Sequence, residues 1–265
     1  MGSSKSLFEV RPSLTMLPGG SFMPLTTSHD MRKVVKAWRV LVEVANSHPT
    51  LAGSETFQYD LVDVTRQVFS DYSFVLFPQL FSMFIRRDDQ GIKTFGVQWL
   101  ALIDELDTVL SSNKHFLLGK WLHSARSWAA DDSPADFYER NARDLVTVWG
   151  NNGVLNDYAS KMWGGLCRTY YRQRWKIFFD MLSSSRADED FKSFSTEVSD
   201  AILAFETKWQ SMPLDISPVP VGDPIKTATA AYKQYGPPIS PPRSRNSQSY
   251  FRLITFHLTL QLARK

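Results

Sequence analysis

The side chains of this chain that are suited to acid–base chemistry are not grouped in a catalytic spacing. Asp60 and Asp63 lie three residues apart in a predicted helix, so their carboxylates share one helix face. Two neighbouring carboxylates can act as acid and base. Near the start of a helix they also interact favourably with the helix dipole and with a nearby cation, here Arg66. We therefore interpret Asp60 and Asp63 as structural.

The sequence contains five histidines and one cysteine, and none of them is placed as a metal ligand or a nucleophile would be. His115 and His123 can share a helix face, but a metal site needs further ligands, so we assign both a structural or surface role. Cys167 lies in an apolar helical context that is typical of an inert thiol. The sequence contains no phosphate-binding, dinucleotide-binding, nucleophile-elbow or zinc-protease motif. We predict no catalytic residue, no metal site and no cofactor.

The central stretch, residues 133–171, is predicted to form two helices joined by a turn. Ser133 and Pro134 are typical of a helix start, and the turn contains Trp149 followed by Asn151-Asn152-Gly153. The second helix is predicted to begin at Asn156-Asp157-Tyr158. An indole at such a turn can face a cleft or cap the core, and composition alone favours the core.

Composition indicates a packed globular protein, with 43% hydrophobic and 13% aromatic residues among 265. The formal charge is +3, and five of the 30 basic residues lie in the last 30 positions, where there is no acidic residue. The rest of the chain is close to neutral, which argues against a nucleic-acid or anionic membrane surface. No apolar run in the sequence approaches the length that a membrane span needs.

The apolar residues recur with a helical period, and they predict an all-α fold, an irregular bundle of about eight helices. Pro78 lies inside one of these helices and predicts a kink or a break there. We expect three regions: an irregular lead-in at 1–28, a helical domain at 29–236, and a tail at 237–265. The tail is rich in Pro and Ser, is predicted to be non-helical, and ends in a short strand-like segment. The predicted helices lie at about 28–45, 56–84, 92–111, 115–130, 133–148, 156–184, 188–210 and 224–236.

Several stretches, in order, resemble one family. They are VRPSL, VVKAWRVL, FQYDLVDVTRQV, FLLGKWLHSAR, DFYERNARDLVTVWG, LNDYASKMWGGL and YYRQRWKIFFDML, within residues 9–238. Together they are similar to the C-terminal all-α domain of α-N-acetylglucosaminidase, glycoside hydrolase family eighty-nine. The resemblance implies a retaining hydrolase that removes terminal α-linked N-acetylglucosamine from glycans such as heparan sulfate. It also implies a lysosomal or secreted location, although MGSSKSLFEV lacks the apolar region of a signal peptide.

The resemblance implies that the catalytic glutamates lie on a (β/α)₈ barrel domain, which is the expected partner. Neither glutamate has a counterpart in this sequence, so we expect a fragment or a truncated gene product that is inactive by itself. The helical domain would then form one wall of the sugar site. Trp149, Leu155 and Tyr158 match the positions that would contact the N-acetylglucosamine-terminated glycan, and Arg143 is expected to order the turn. The alternative is a non-enzymatic helical protein-interaction module.

Overall fold

The described chain is a bundle of nine α-helices, which confirms the predicted all-α class. The computed structural model describes residues 6–13, 29–149, 155–157, 159–184 and 191–239. A two-stranded antiparallel ladder and a π-helical turn interrupt the helices. The elements are α1 (Met31–Ser47), α2 (Pro49–Ala52), α3 (Glu55–Ile85), α4 (Asp89–Ser111), α5 (Leu118–Arg126), α6 (Asp132–Val146), β1 (Val148–Trp149), β2 (Leu155–Asn156), the π turn (Cys167–Tyr171), α7 (Arg172–Leu182), α8 (Phe191–Trp209) and α9 (Pro224–Ile239).

Aspartates begin several of these helices by accepting hydrogen bonds from amides of the first turn. Asp30 accepts from the amide of Arg32 at 3.0 Å, and Asp88 accepts from the amide of Gly91 at 2.8 Å. Asp223 accepts from two first-turn amides of α9. The predicted helix start at Asp223-Pro224 is confirmed.

Two prolines that were expected to disturb helices do not end them. A kink or a break is predicted at Pro78, and α3 continues through it as one helix of 31 residues, so there is no break and the kink stays a prediction. Pro78 is half-buried in a helix whose inner face packs along the core, and this packing outweighs the loss of one backbone hydrogen bond. α9 was predicted to end at Gly236-Pro237 but extends to Ile239. The strand-like segment of the tail lies outside the described residues.

α3 is also the one described helix with the length and hydropathy of a membrane span. In the fold it is a central helix that packs against α1, α4 and α9. Half of its most apolar 18-residue window is buried inside the bundle. Its buried face carries the polar side chains of Thr65, Ser70, Asp71 and Ser73. These features are typical of a core helix.

The core is built around two indoles that contact each other, Trp99 of α4 and Trp175 of α7, with ring centroids 4.6 Å apart. Phe8 packs edge-on against Trp99 at 4.9 Å. Leu7 and Phe8 are fully buried, although they belong to the region described from sequence as a lead-in. Residues 6–13 form no helix, as expected, yet they contribute to the core.

The predicted second helix of the central stretch begins about ten residues later than expected. Leu155 and Asn156 form β2, and the backbone then turns left-handed at Asp157 (φ 54°) and Ser160 (φ 49°). Both conformations are incompatible with an α-helix, so helical structure begins only at Leu166. The prediction of helices alone in this region also lacked the two short strands β1 and β2.

Candidate functional site

The ladder of β1 and β2 brings two of the three predicted site residues together. Trp149 lies directly opposite Leu155, and Val148 lies opposite Asn156. Side chains of directly opposite residues project from the same face of a ladder. Trp149 is 40% exposed and Leu155 is 42% exposed, whereas Val148 is buried. The indole of Trp149 and the side chain of Leu155 therefore share one face of the ladder and are both part-exposed. Whether Trp149 faces a cleft or caps the core stays a prediction.

The third predicted residue, Tyr158, and the turn at 150–154 lie outside the described residues. The predicted role of Tyr158 therefore stays a prediction. The residues on either side of it are described, and they show how the chain leaves the ladder. The amide of Asp157 donates to the carbonyl of Thr147 at 2.7 Å, which closes the base of the hairpin.

The first leg of this hairpin continues α6 and is fixed by Arg143. The buried guanidinium donates from Nη1 to the carbonyls of Trp209 (2.8 Å) and Met212 (2.7 Å), at the end of α8. Its Nη2 contacts the carboxylate of Glu139. The side chain of Thr147 donates to the carbonyl of Arg143 at 2.6 Å. Arg143 thus bonds backbone and carboxylate groups, as expected, but these groups belong to α8 and α6 rather than to the turn.

The second leg is fixed by a different arginine, Arg174 of α7. Its side chain is fully buried, and its Nη1 donates to the carboxylates of Asp157 (2.8 Å) and Glu206 (3.0 Å). Its Nη2 donates to the carbonyl of Glu9 at 2.5 Å. Burial disfavours the charge on Arg174, but the negative charges of Asp157 and Glu206 outweigh burial and raise its pKa above the ordinary value. Arg174 is therefore a fixed cation at the root of the hairpin.

Aromatic rings join the two arginines into one cluster. The guanidinium of Arg143 lies 5.3 Å from the ring centroid of Trp209, and Trp209 packs on Tyr170 at 4.9 Å. Arg174 lies 4.6 Å from the ring of Tyr170 and 5.0 Å from that of Tyr171. Contacts of this kind are favourable when desolvated. Burial raises the pKa of both tyrosines well above the ordinary value, so both stay neutral at physiological pH.

Comparison with known sequences and structures identifies the family. The family described as the alpha-N-acetylglucosaminidase (NAGLU) C-terminal domain matches residues 1–234. The chain belongs to this family. Human alpha-N-acetylglucosaminidase is 34% identical over 242 residues, which is 89% of this chain and 30% of the human protein. The chain thus spans less than a third of this relative.

The fold of this α-N-acetylglucosaminidase C-terminal domain also matches solved structures of Clostridium perfringens family 89 glycoside hydrolases. One was determined as a double Glu-to-Gln variant in complex with its substrate, GlcNAc-alpha-1,4-galactose. It gives a TM-score of 0.74 at 22% identity, over 90% of this chain and 28% of that chain. Another, in complex with 2-acetamido-1,2-dideoxynojirmycin, gives a TM-score of 0.72 at 23% identity, over 88% of this chain and 27% of that chain. These likenesses establish the fold.

Three groups that we interpreted as structural from the sequence have contacts or surroundings that fit that interpretation. Arg66 donates to Asp63 at 2.9 Å, which confirms the partner predicted for that carboxylate. His115 contacts Glu55 at 3.1 Å. Burial raises the pKa of Cys167 well above its ordinary value, so the thiol is unreactive. Among the described residues, no three His, Cys, Asp or Glu side chains are grouped as a metal site requires.

One pocket of about 160 Å³ is lined by Asp107, which accepts hydrogen bonds from the amides of Gly165 (2.7 Å) and Arg168 (2.9 Å). Asp107 therefore caps the π turn that precedes α7. Neither this pocket nor one of about 240 Å³ beside α8 is lined by Trp149 or Leu155, whose side chains are part-exposed at the surface.

Sequence reasoning missed Arg174 and the last turn of α8 as supports of the site. Arg174 lies in the run RWKIFFDML, whose helical period was interpreted only as an apolar stripe. The sequence does contain one signal for a buried arginine. A helical position that falls on the apolar face and carries arginine indicates a buried cation, which needs carboxylate partners.

Proposed function

We propose that this domain forms one wall of the sugar-binding cleft of a family 89 α-N-acetylglucosaminidase. In this proposal Trp149, Leu155 and Tyr158 contact the terminal N-acetylglucosamine of the glycan. One observation carries the proposal: Trp149 and Leu155 lie opposite each other on the half-exposed face of the hairpin, in a chain of this family. An indole face matches the apolar C–H face of a pyranose ring, and a leucine beside it extends the apolar surface. The Tyr158 hydroxyl can bond a sugar oxygen.

The chemistry is assigned to a (β/α)₈ barrel domain that pairs with this one. Retaining hydrolysis requires two carboxyl groups about 5–5.5 Å apart, one as acid/base and one as nucleophile. The buried carboxylates at the root of the hairpin do not fit those roles, because Asp157 and Glu206 are engaged by Arg174. The family reaction is exo-hydrolysis of terminal α-linked N-acetylglucosamine from glycans such as heparan sulfate. We expect the 265-residue chain alone to be inactive, and release of N-acetylglucosamine from an aryl α-glycoside by the chain alone would contradict this assignment.

Sugar binding can be tested on the chain itself by following the indole N–H signals in NMR spectra. A sugar of about 15 heavy atoms that is fully enclosed gains roughly 0.3 kcal/mol per atom, or about 4.5 kcal/mol in total. A single wall that supplies about half of this energy gives a Kd of about tens of millimolar. We expect N-acetylglucosamine to shift the Trp149 signal in a saturable way, and the substitution Trp149→Ala to remove that signal and reduce the shifts of neighbouring amides.

The chain offers an internal control for this titration. Trp128 is 83% exposed, about twice as exposed as Trp149, and it lies between α5 and α6 rather than in the hairpin. If any exposed indole responds to sugar, Trp128 will shift at least as much as Trp149. Equal responses, or no response of Trp149 up to about 100 mM sugar, would refute the proposed wall.

The alternative function, a helical protein-interaction module, is favoured by large aromatic side chains that are exposed outside the hairpin. Trp128 is 83% exposed and Phe137 of α6 is 68% exposed. Large exposed aromatic groups are typical of protein interfaces. The two functions separate in the same titration, since a module that only binds protein shows no selective sugar response at Trp149.

A further inference from the structure

The two strands of the site hairpin are both held by bonds to the end of α8. Arg143 bonds the carbonyls of Trp209 and Met212, and Arg174 bonds the carboxylate of Glu206. These three acceptors lie within seven residues, at the end of α8. We propose that Arg174 is a positioning residue for the sugar wall, holding the returning leg of the hairpin on this common anchor. The proposal rests on the function proposed above for Trp149 and Leu155.

Arg174 joins three segments that are far apart in the sequence. Its Nη1 is shared between Asp157 of the hairpin and Glu206 of α8, and its Nη2 bonds the backbone of Glu9. Glu206 is also contacted by Arg11 from the N-terminal segment. The position of the hairpin therefore depends on residues 6–13 as well as on α8.

The π turn places two consecutive tyrosines against the same guanidinium. Tyr170 and Tyr171 precede Arg174 by four and three residues, and their rings lie 4.6 and 5.0 Å from its guanidinium carbon. A π turn contains one residue more than an α-helical turn and is frequently found at functional sites. The rings restrict the orientation of the guanidinium, so the direction in which it meets Asp157 is fixed.

A buried ion pair adds little net stability compared with apolar packing, because burying both charges costs almost as much as their attraction gains. The contribution of this ion pair is to fix the position of the hairpin rather than to add stability. Asp157 is one residue from β2, and its amide bonds Thr147, one residue from β1. A ladder of two-residue strands is too short to be stable by itself. An anchor at its base therefore decides where Trp149 and Leu155 lie.

The test compares Asp157→Asn with Glu206→Gln by hydrogen exchange of the full chain. Both variants remove one negative charge from the same nitrogen of Arg174. The first breaks its bond to the hairpin and the second its bond to α8, so each breaks the proposed anchor. Asparagine is suited to the left-handed conformation at position 157 (φ 54°), so the backbone is kept. Val42→Ala, a buried change in α1 that removes none of the bonds of Arg174, is the control for a general loss of stability.

We expect Asp157→Asn to accelerate amide exchange at 147–149 and 155–157 by about tenfold, the effect of losing one charge-assisted hydrogen bond. Glu206→Gln should accelerate exchange there to a similar extent, because it releases Arg174 from α8. Val42→Ala should lower the global stability but change exchange of the hairpin amides by less than about twofold. No acceleration by Glu206→Gln, or acceleration of the hairpin in proportion to global stability in all three variants, would overturn the proposal.

If Asp157→Asn does not fold, hydrogen exchange of the unmodified chain still tests the anchor. When exchange is measured over a series of denaturant concentrations below the unfolding transition, the amides of the hairpin and those of the last turn of α8 should show the same opening free energy. Opening of the hairpin with α8 still closed would refute the anchor.

The sugar titration separates this proposal from the function on which it rests. Failure of Trp149 to respond to N-acetylglucosamine in the unmodified chain refutes the sugar wall and leaves the exchange result to judge the anchor. If Trp149 responds normally in Asp157→Asn although the hairpin exchanges about tenfold faster, the anchor is real and does not position the wall, which overturns the proposal.

Discussion

The two contacting indoles of the core give a matched pair of substitutions that tests whether residues 6–13 belong to the fold. Trp99 and Trp175 are both fully buried. The indole N–H of Trp175 donates to the carbonyl of Phe8 at 3.1 Å, whereas that of Trp99 has no hydrogen-bond partner within the described part of the chain. Changing each tryptophan to phenylalanine removes the same atoms from neighbouring positions. The main difference is the hydrogen bond to the N-terminal segment.

The magnitude follows from what each variant leaves behind. Both variants leave a cavity where atoms of the indole are removed, at a cost of roughly 2 kcal/mol each. This cost cancels when the two variants are compared. Trp175→Phe also leaves the buried carbonyl of Phe8 without this donor, at a cost of about 1–3 kcal/mol. Trp99→Phe removes a donor that is already unpaired, and this offsets part of its cavity cost. We expect Trp175→Phe to be the more destabilising variant by about 1–3 kcal/mol.

Unfolding in guanidinium chloride, followed by far-UV circular dichroism, measures this difference. With a slope of roughly 5 kcal/mol per molar, a difference of about 2 kcal/mol separates the two midpoints by about 0.4 M. The slopes of the two variants must agree for the comparison to hold. Coincident midpoints, or a lower midpoint for Trp99→Phe, would show that the bond to Phe8 is not formed and that residues 6–13 are not anchored as described.

Three further outcomes follow from the packing and the electrostatics. A Cβ at Gly119 would lie 2.1 Å from the carbonyl oxygen of Ser217, so Gly119→Ala should lower the free energy of unfolding by about 1–3 kcal/mol or more. Gly53→Ala is the control, because the nearest atoms to a Cβ there lie at 3.6 Å, and it should be neutral in the same denaturation assay. Pro78→Ala restores one donor inside α3 and should raise the free energy of unfolding in urea by about 1 kcal/mol, and a lower value would show that the proline is needed there. Burial raises the pKa of Asp107, so the folded chain binds a proton more readily than the unfolded chain, and stability should fall as pH rises from the ordinary aspartate pKa of about 4 through the higher pKa of the folded state. Asp107→Asn should reduce that fall, and unchanged pH dependence of the urea midpoint would contradict the shift.

Features that depend on local sequence signals could be predicted from the sequence. Asp223 followed by Pro224 predicts a helix start, and the structure places the aspartate side chain on two amides of the first turn. Arg66 three residues after Asp63 predicts the ion pair that is observed. In both cases the interacting groups lie within one helical turn, so no knowledge of the tertiary structure is needed.

The hairpin could not be predicted because its determinants are tertiary. Each strand has two residues, which is too short for an alternating pattern to be recognised. The left-handed conformations fall on Asp157 and Ser160 rather than on glycine, so composition does not mark the place where a helix is impossible. A helical period across 155–171 was therefore the natural and incorrect interpretation.

The candidate site was found by family resemblance, and its geometry required the structure. Nothing in the types of Trp149 and Leu155 indicates that they lie opposite each other, because their register depends on the base of the hairpin. That base is closed by Asp157, which is held by Arg174. Long-range pairs of this kind are invisible to a pattern that is read along the chain.

This dependence has a consequence for how substitutions act on the site. A two-residue ladder contributes little stability of its own, so the orientation of Trp149 depends on the stability of the cluster beneath it. Trp209 lies at the centre of that cluster, since it contacts Arg143 and Tyr170 and its carbonyl accepts from Arg143. A change at Trp209 would therefore loosen both legs of the hairpin and leave the side chains of Trp149 and Leu155 unaltered. If the hairpin forms the proposed sugar wall, we expect loss of sugar binding from substitutions at buried positions of α8 as well as on the exposed face of the hairpin.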